Sequence, residues 1–419
     1  MKKDKLGSII SVKHGYAFKS ENYVDSSNTV LVTLANFSES NNFKFNFDKS
    51  TFYGSDYPKE YNLFEGDLVV PLTEQVIGLF GNTAFVPKID KFQFVLNQRV
   101  GKVEPKNNVD LNYVHYLMST KSVRDQLESK ASSGTKQRNI SPEDIYNVEI
   151  LLQDYKEQVK IGECLYQFER IINNNNRLNE MLDKTIKNIY EHWFLQFDFP
   201  NDKGFPYKSS GGEMIYSKVL KREIPKEWKI DKLGSNTLCE IIKPGVDSFE
   251  NKNYLATRNV NCNSILDGEW VTYENRPERA KMQPIKNSVW FAKMKNSTKH
   301  ITVTNQDQWF IDKYILSTGF LGLKCNKASL AYIHSLINTD YFEKIKDKIS
   351  HGATQQSVNN NDLMFVNIVI PPNEILGSYR NLVYPMISEI NKNFKVNQEL
   401  KKIQDFLLPI LMNNQISIS

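Results

Sequence analysis

The sequence predicts an α+β protein: two similar, mostly-β globular units separated by two long antiparallel coiled-coil helices, related by an internal pseudo-two-fold repeat. Three observations carry that prediction. The stretch SSGTKQRNISPEDIYNVEILL (132–152) aligns without gaps on SHGATQQSVNNNDLMFVNIVI (350–370), at an offset of 218. Short apolar runs broken by Gly, Asn and Pro recur through both halves, as in small β units. Two stretches carry apolar residues at alternating spacings of four and three, the a/d pattern of a coiled-coil seam.

Six of the 21 aligned positions are identical (Ser132/Ser350, Gly134/Gly352, Gln137/Gln355, Asp144/Asp362, Val148/Val366, Ile150/Ile368), where about one would arise by chance. Upstream, YVHYLMST (113–120) matches YIHSLINT (332–339), and KLG at 5–7 matches KLG at 232–234. A duplication is the simplest account. Each copy passes from KLG through runs such as DLVVPL (67–72) or SVWFAKM (288–294) to a helix-like segment before a G-x-x-Q turn. The domains are therefore set at 1–152, a central helix at 153–199, a second unit at 200–370 with 200–224 as linker, and a distal helix at 371–419.

In the central helix the seam runs Ile161, Leu165, Phe168, Ile172, Asn175, Asn179, Leu182, Ile186, Ile189, Trp193. Adding 218 gives Tyr379, Val383, Met386, Ile390, Asn393, Asn397, Leu400, Gln404, Leu407, Leu411, so two asparagines recur at equivalent seam positions. Buried asparagine in a seam costs stability and favours one register, because a slipped partner leaves an amide facing hydrocarbon. Antiparallel helices crossing near 177 and 395 would set Asn175 beside Asn397 and Asn179 beside Asn393. Asn173, Asn174 and Asn176 are expected on the surface.

Composition excludes several classes. The 419 residues are 40% hydrophobic and 24% charged, with a net charge of +5, ordinary for a soluble protein and too mild to prove nucleic-acid binding. There is no run of 18 apolar residues and no signal-peptide core, so a cytoplasmic protein without membrane contact is expected. Cys164, Cys239, Cys262 and Cys325 form no C-x-x-C pair and are expected as reduced, structural thiols. The sequence holds no phosphate-cradling G-x-x-x-x-G-K-[ST] loop, no G-x-G-x-x-G turn and no N-P-P-[YF] segment. Nor do its six histidines group as metal ligands, and His115 and His334, at matching repeat positions, are expected to pack rather than catalyse.

KLGSIISVKHGYAFKSENY (5–23), SSGTKQRNI (132–140), LLQDYKEQVKIGECL (151–165) and YEHWFLQFDFP (190–200), in this order around a duplication, resemble the specificity subunits of type I restriction-modification systems. The usual proline-rich start of the conserved helix is kept as Ile370-Pro371-Pro372 in the second copy and replaced by Leu151-Leu152-Gln153 in the first. The resemblance implies that the two units are target-recognition domains reading double-stranded DNA, and that the chain itself is not an enzyme. It implies as partners two methylation subunits, with S-adenosylmethionine chemistry on adenine, and motor-nuclease subunits that use ATP and Mg. No cofactor is then expected on this chain. Methylation subunits are expected to dock on the outer helix faces, near Tyr190, His192 and Phe194.

If each unit enters the major groove, loop residues are the candidates. In unit 1 these are Lys13, Tyr16 and Lys19, then Thr73, Glu74 and Gln75, then Lys136 and Arg138. In unit 2 they are Arg258 and Asn259, then Lys293, Lys295, Asn296 and Lys299 of KMKNSTK, then Gln355 and Gln356. Gln75 would suit adenine, Glu74 cytosine, and Lys295 guanine or a phosphate. From Ile161 to Trp193 the helix would span roughly 50 Å, or about 15 base pairs, which makes the pair a ruler for a bipartite, asymmetric site. Two other readings stay open: the specificity component of a related system whose methylase and nuclease share one partner polypeptide, and a coiled-coil adaptor binding two protein partners.

Overall fold

The computed structural model describes residues 2–38, 41–75, 77–106, 108–132, 137–261, 264–266, 268–353 and 355–418. The chain divides into two compact units, one formed by Met1–Ile172 with Gln398–Ser419, the other by Asn173–Asn397. Each unit thus contains part of the central helix Tyr155–Tyr190 and part of the distal helix Asn373–Met412.

Unit 1 is built on strand Leu68–Pro71, whose residues are all buried. Alternation explains how. Leu68 and Val70 pack into a core with Val114, Leu117 and Leu127 of the helices Leu111–Met118 and Lys121–Lys130. Val69 points the other way, into a second core with Val30, Phe52 and Phe94. The first sheet runs in the order Ile10–His14, Val100–Pro105, Leu68–Pro71, Ala84–Phe85, with antiparallel neighbours. The second contains Thr29–Val32 beside Gln93–Leu96, a parallel pair. Lys2–Lys5 pairs with Glu149–Leu152 and closes the unit on itself.

Unit 2 repeats this plan. Its first sheet runs Cys239–Ile241, Phe320–Cys325, Ser288–Ala292, His300–Val303, again antiparallel throughout. Val289 and Phe291 face a core with Tyr332 and Phe342, while Trp290 and Ala292 face one with Phe310 and Leu316. Lys252–Leu255 and Tyr314–Ser317 are the parallel pair, and Lys229–Lys232 closes against Asn367–Ile370. The repeat seen in the sequence is therefore a repeat of topology.

The seam periodicity is visible as burial. In unit 1, Ile161 and Leu165 are buried with Leu411 and Met412, and Gln404 Nε2 donates to the Leu165 carbonyl at 3.4 Å. In unit 2, Ile186 packs with Val383, Ile387 and Ile390. There Asn175 Nδ2 donates to Asn397 Oδ1 at 2.8 Å and Asn393 Nδ2 to Asn179 Oδ1 at 2.9 Å. Asn397 also uses its Nδ2, on Asn176 Oδ1 at 2.9 Å. Asn173, Asn174 and Asn176 are exposed.

Two expectations are corrected. The 200–224 stretch is no plain linker: Met214–Ser217 pairs with Arg222–Pro225 as a hairpin, and Phe199 stacks between Tyr207 and Trp228 at centroid distances of 4.7 and 5.0 Å. Tyr190 and Phe194 lie on no outer face, being buried at 3% and 2% exposure. Phe194 sits 4.8 Å from the rings of both Tyr332 and Tyr379. The reason is spacing, since residues 186, 190 and 194 follow one inward stripe, which a wider π-helical turn over Glu191–Leu195 carries into the core. His192 alone of the three is exposed.

The matching histidines are both buried. His115 Nδ1 lies 2.7 Å from Thr83 Oγ1, and His334 Nδ1 lies 2.8 Å from Thr302 Oγ1. Burial, with nearby His300, pushes the His334 imidazole down to about 3. An unfolded chain protonates histidine near pH ~6.5, whereas the folded unit keeps His334 neutral until about pH 3. Stability is therefore unaffected above pH ~6.5 and is lost as pH falls below it, by up to about 1.4 kcal/mol per pH unit. Unfolding free energy against pH should show a shallower acid limb in His334→Gln than in the parent; identical limbs would refute this origin.

Candidate nucleic-acid interface

In unit 1 the residues that follow the G-x-x-Q segment pair with the end of the central strand. Arg138 and Asn139 pair with Glu74 and Thr73, and Thr73 Oγ1 donates to Asn139 Oδ1 at 2.8 Å. Glu74 is only 1% exposed. Its Oε2 accepts backbone N–H groups from Gly78 and Leu79 at 3.2 and 2.9 Å, and its Oε1 accepts from Arg138 Nε at 2.7 Å. Arg138 Nη2 reaches both Glu74 and Glu128, and the hydrogen bonds it donates to these carboxylates, Glu128 first, hold the guanidinium above its ordinary pKa. Glu74 is thus no cytosine reader: its oxygens organise the 74–80 turn and grip Arg138.

Beside Thr73 and Asn139 of this ladder, His14, Gln98, Arg99 and Gln137 line a cavity of about 370 Å³ together with Leu72 and Ile140. Gln75 is exposed beside it in sequence, and Lys136 lies outside the described residues. The KHGYAFK candidates face elsewhere. Lys13 Nζ donates to the Glu60 carbonyl at 2.8 Å and stands over the Tyr61 ring, while Tyr16 packs on Phe18 and Tyr61 at 5.0 and 5.3 Å. Lys19 is exposed, with Glu21 3.8 Å away.

Unit 2 gathers its candidates more tightly. The loop after strand Ser288–Ala292 meets the second G-x-x-Q segment through a Met294–Ser357 bridge. Lys295 donates its backbone N–H to the Gln356 carbonyl at 3.0 Å and its Nζ to Gln356 Oε1 at 2.8 Å. Gln355 Nε2 contacts Met294 Sδ at 3.3 Å. Asn296, at φ +58°, donates its N–H to Asp347 Oδ1 at 2.9 Å. Lys299 Nζ donates to the Thr257 carbonyl at 2.6 Å, joining the loop to the turn Thr257–Asn259, where Asn259 Oδ1 accepts the Ala256 N–H and Arg258 is exposed. Lys293 is half-buried, and burial lowers its pKa.

The two places are one place in a duplicated frame. Arg138 aligns with Gln356 and Asn139 with Ser357, and the strand end that presents Glu74 in unit 1 presents Lys295 in unit 2. A model of the type I restriction modification DNA specificity domain matches residues 1–184. The chain is 25% identical over 347 residues, 79% of its length and 74% of the relative's, to the type I restriction enzyme MjaIX specificity subunit of Methanocaldococcus jannaschii. Residues 1–184 thus match the type I specificity-domain family, and the chain as a whole is similar to type I specificity subunits. The HindI specificity subunit of Haemophilus influenzae is 18% identical over 380 residues, covering 78% of this chain and 82% of that one. The crystal structure of the type I restriction-modification system S subunit from M. genitalium shares the fold, with a TM-score of 0.58 at 15% identity over 98% of this chain and 95% of that one.

In this chain the two equivalent places differ in charge. Unit 1 sets one guanidinium between two carboxylates, and unit 2 sets an ammonium against a neutral amide. Such a pair of sites offers different donors and acceptors to a base edge. His14, Gln98 and Arg99 were not among the sequence candidates. His14 alternates with Lys13 along one strand, and only the cavity shows that His14 lines it. Among the described residues, no His, Cys, Asp and Glu cluster could hold a metal ion, and no helix is long and apolar enough to cross a membrane.

Proposed function

We propose that this chain is a specificity subunit that reads a bipartite, asymmetric double-stranded DNA site, one half with each unit, and directs partner subunits to it. Adenine methylation from S-adenosylmethionine belongs to two methylation subunits, and ATP- and Mg-dependent cleavage belongs to motor-nuclease subunits. The chain supplies the address and no catalytic group. One observation carries this reading: the same strand-end frame occurs twice and bears Glu74 and Arg138 in one copy, Lys295 and Gln356 in the other. Duplicated scaffolds with unlike reading residues suit two unlike half-sites. Lys and Arg around each frame would grip phosphates, and exposed side chains beside the strand ends, Gln75 in one copy and Gln355 in the other, would meet base edges.

The test is genome-wide adenine methylation in cells carrying the methylation subunit, with and without this chain. A motif of two fixed halves and a constant gap should appear only with the chain, and exchange of one unit should replace one half alone. An active methylation subunit with no chain-dependent motif would overturn the reading in favour of a protein adaptor.

A further inference from the structure

Each unit carries a helical pair whose second helix, Lys121–Lys130 in unit 1 and Asp340–Ile349 in unit 2, turns one face into the core. Counted from their first residues, Val123 corresponds to Phe342 and Leu127 to Lys346. All four side chains are at most 1% exposed. Leucine is what a hydrophobic core calls for, and unit 1 has it. Unit 2 buries a lysine in the same place.

Lys346 Nζ donates to Glu343 Oε2 at 2.6 Å and to the carbonyl of Ser297 at 2.6 Å. Glu343 Oε1 lies 3.0 Å from His300 Nε2. Burial alone would raise the Glu343 pKa, but hydrogen bonds from His300 and Lys346 hold it below the ordinary range, so the carboxylate stays charged. The corresponding positions in unit 1 hold Arg124 and Gly81, so the whole trio is peculiar to unit 2. A buried ion pair is commonly no more stabilising than apolar residues of like volume. Stability therefore does not explain the trio, and what it touches does. Ser297 is in the middle of the 293–299 loop, and Asp347, the next residue of the helix, holds the adjoining Asn296 N–H.

We infer that Lys346, held by Glu343 and His300, is a positioning residue that fixes the 293–299 loop and thereby sets the stringency of the half-site read by unit 2. This rests on the DNA-reading function proposed above. Hydrogen bonds to base edges weaken steeply outside a narrow range of distance and angle, so a loop released from its anchor loses discrimination before it loses phosphate contact. Unit 1 fixes its own turn through Glu74 and does not depend on the trio.

The experiment uses the full chain with its methylation subunits and DNA pools randomised in one half-site at a time. The parent must first select a bipartite motif; if it selects none, the DNA-reading function fails. With the parent motif in hand, Lys346→Leu should lower discrimination in one half-site about tenfold and leave the other within twofold, at a melting temperature below the parent's because Glu343 loses its ammonium partner. Asp347→Ala, which leaves the core intact, should relax the same half about threefold. Full stringency in both halves with Lys346→Leu overturns the inference, as does full stringency with Asp347→Ala if the lysine variant does not fold.

Discussion

Arg138→Ala is expected to destabilise unit 1 by about 3–5 kcal/mol and to erase base preference in one half of the methylation motif. The carboxylate of Glu74 is 1% exposed, and Arg138 is the cation that neutralises it. Without the guanidinium, a buried charge keeps only the N–H groups of the 74–80 turn. Glu128, a quarter exposed, can turn to solvent and adds little to the loss. Chemical unfolding measures the first effect, and sequencing of methylated sites measures the second. The double variant Glu74→Gln with Arg138→Ala separates the two, because it removes the stranded charge together with its partner. It should recover most of the stability and none of the base preference. An Arg138→Ala protein as stable as the parent would show that the buried carboxylate is satisfied by backbone alone.

The sequence carries the duplication because fold-bearing positions are local: a gapless stretch of 21 residues preserves the closing strand and the turn before it. It carries the seam asparagines because a polar residue at an apolar period is conspicuous without any partner being known. The Glu74, Glu128 and Arg138 set was not legible, since 64 and 10 residues separate its members and nothing in TEQ marks a buried carboxylate. Arg138 could be picked as basic and near a turn, whereas its engagement by two anions depends on how two strands pair. The cavity around His14 and Arg99 was hidden for a related reason, because a strand presents two faces and the cavity takes only one. The inward placing of Tyr190 and Phe194 depends on a π-helical turn that the sequence does not announce, although aromatic residues at a spacing of four are the mark of a buried stripe. Lys346 carries no mark within the sequence of its own copy. Comparing the two copies position by position, rather than each with a generic pattern, exposes it against Leu127.

Asn393→Leu is expected to cost unit 2 about 1–3 kcal/mol, although leucine is the better seam residue by propensity and by hydrophobicity. The loss comes from the survivor. Asn179, left opposite a leucine, would keep an amide in the seam without the 2.9 Å bond it now accepts. Replacing Asn179 and Asn393 together should be neutral or stabilising, since both amides leave at once. The double-mutant cycle should therefore give a coupling energy of about 1–2 kcal/mol, and additivity of the two single changes would show that the amides do not depend on each other. The double variant is where specificity and stability part company. Asn175 and Asn397 still pair at 2.8 Å, and the chain keeps one polar register mark in the seam. When all four become leucine, the helices lose the feature that distinguishes the native register from one slipped by a heptad, and several registers should be populated at higher overall stability. Cysteine pairs placed at Ile186 and Val383 in that background should cross-link heterogeneously, whereas in the parent seam they should give a single pattern. A single pattern in both would assign register to the apolar residues alone.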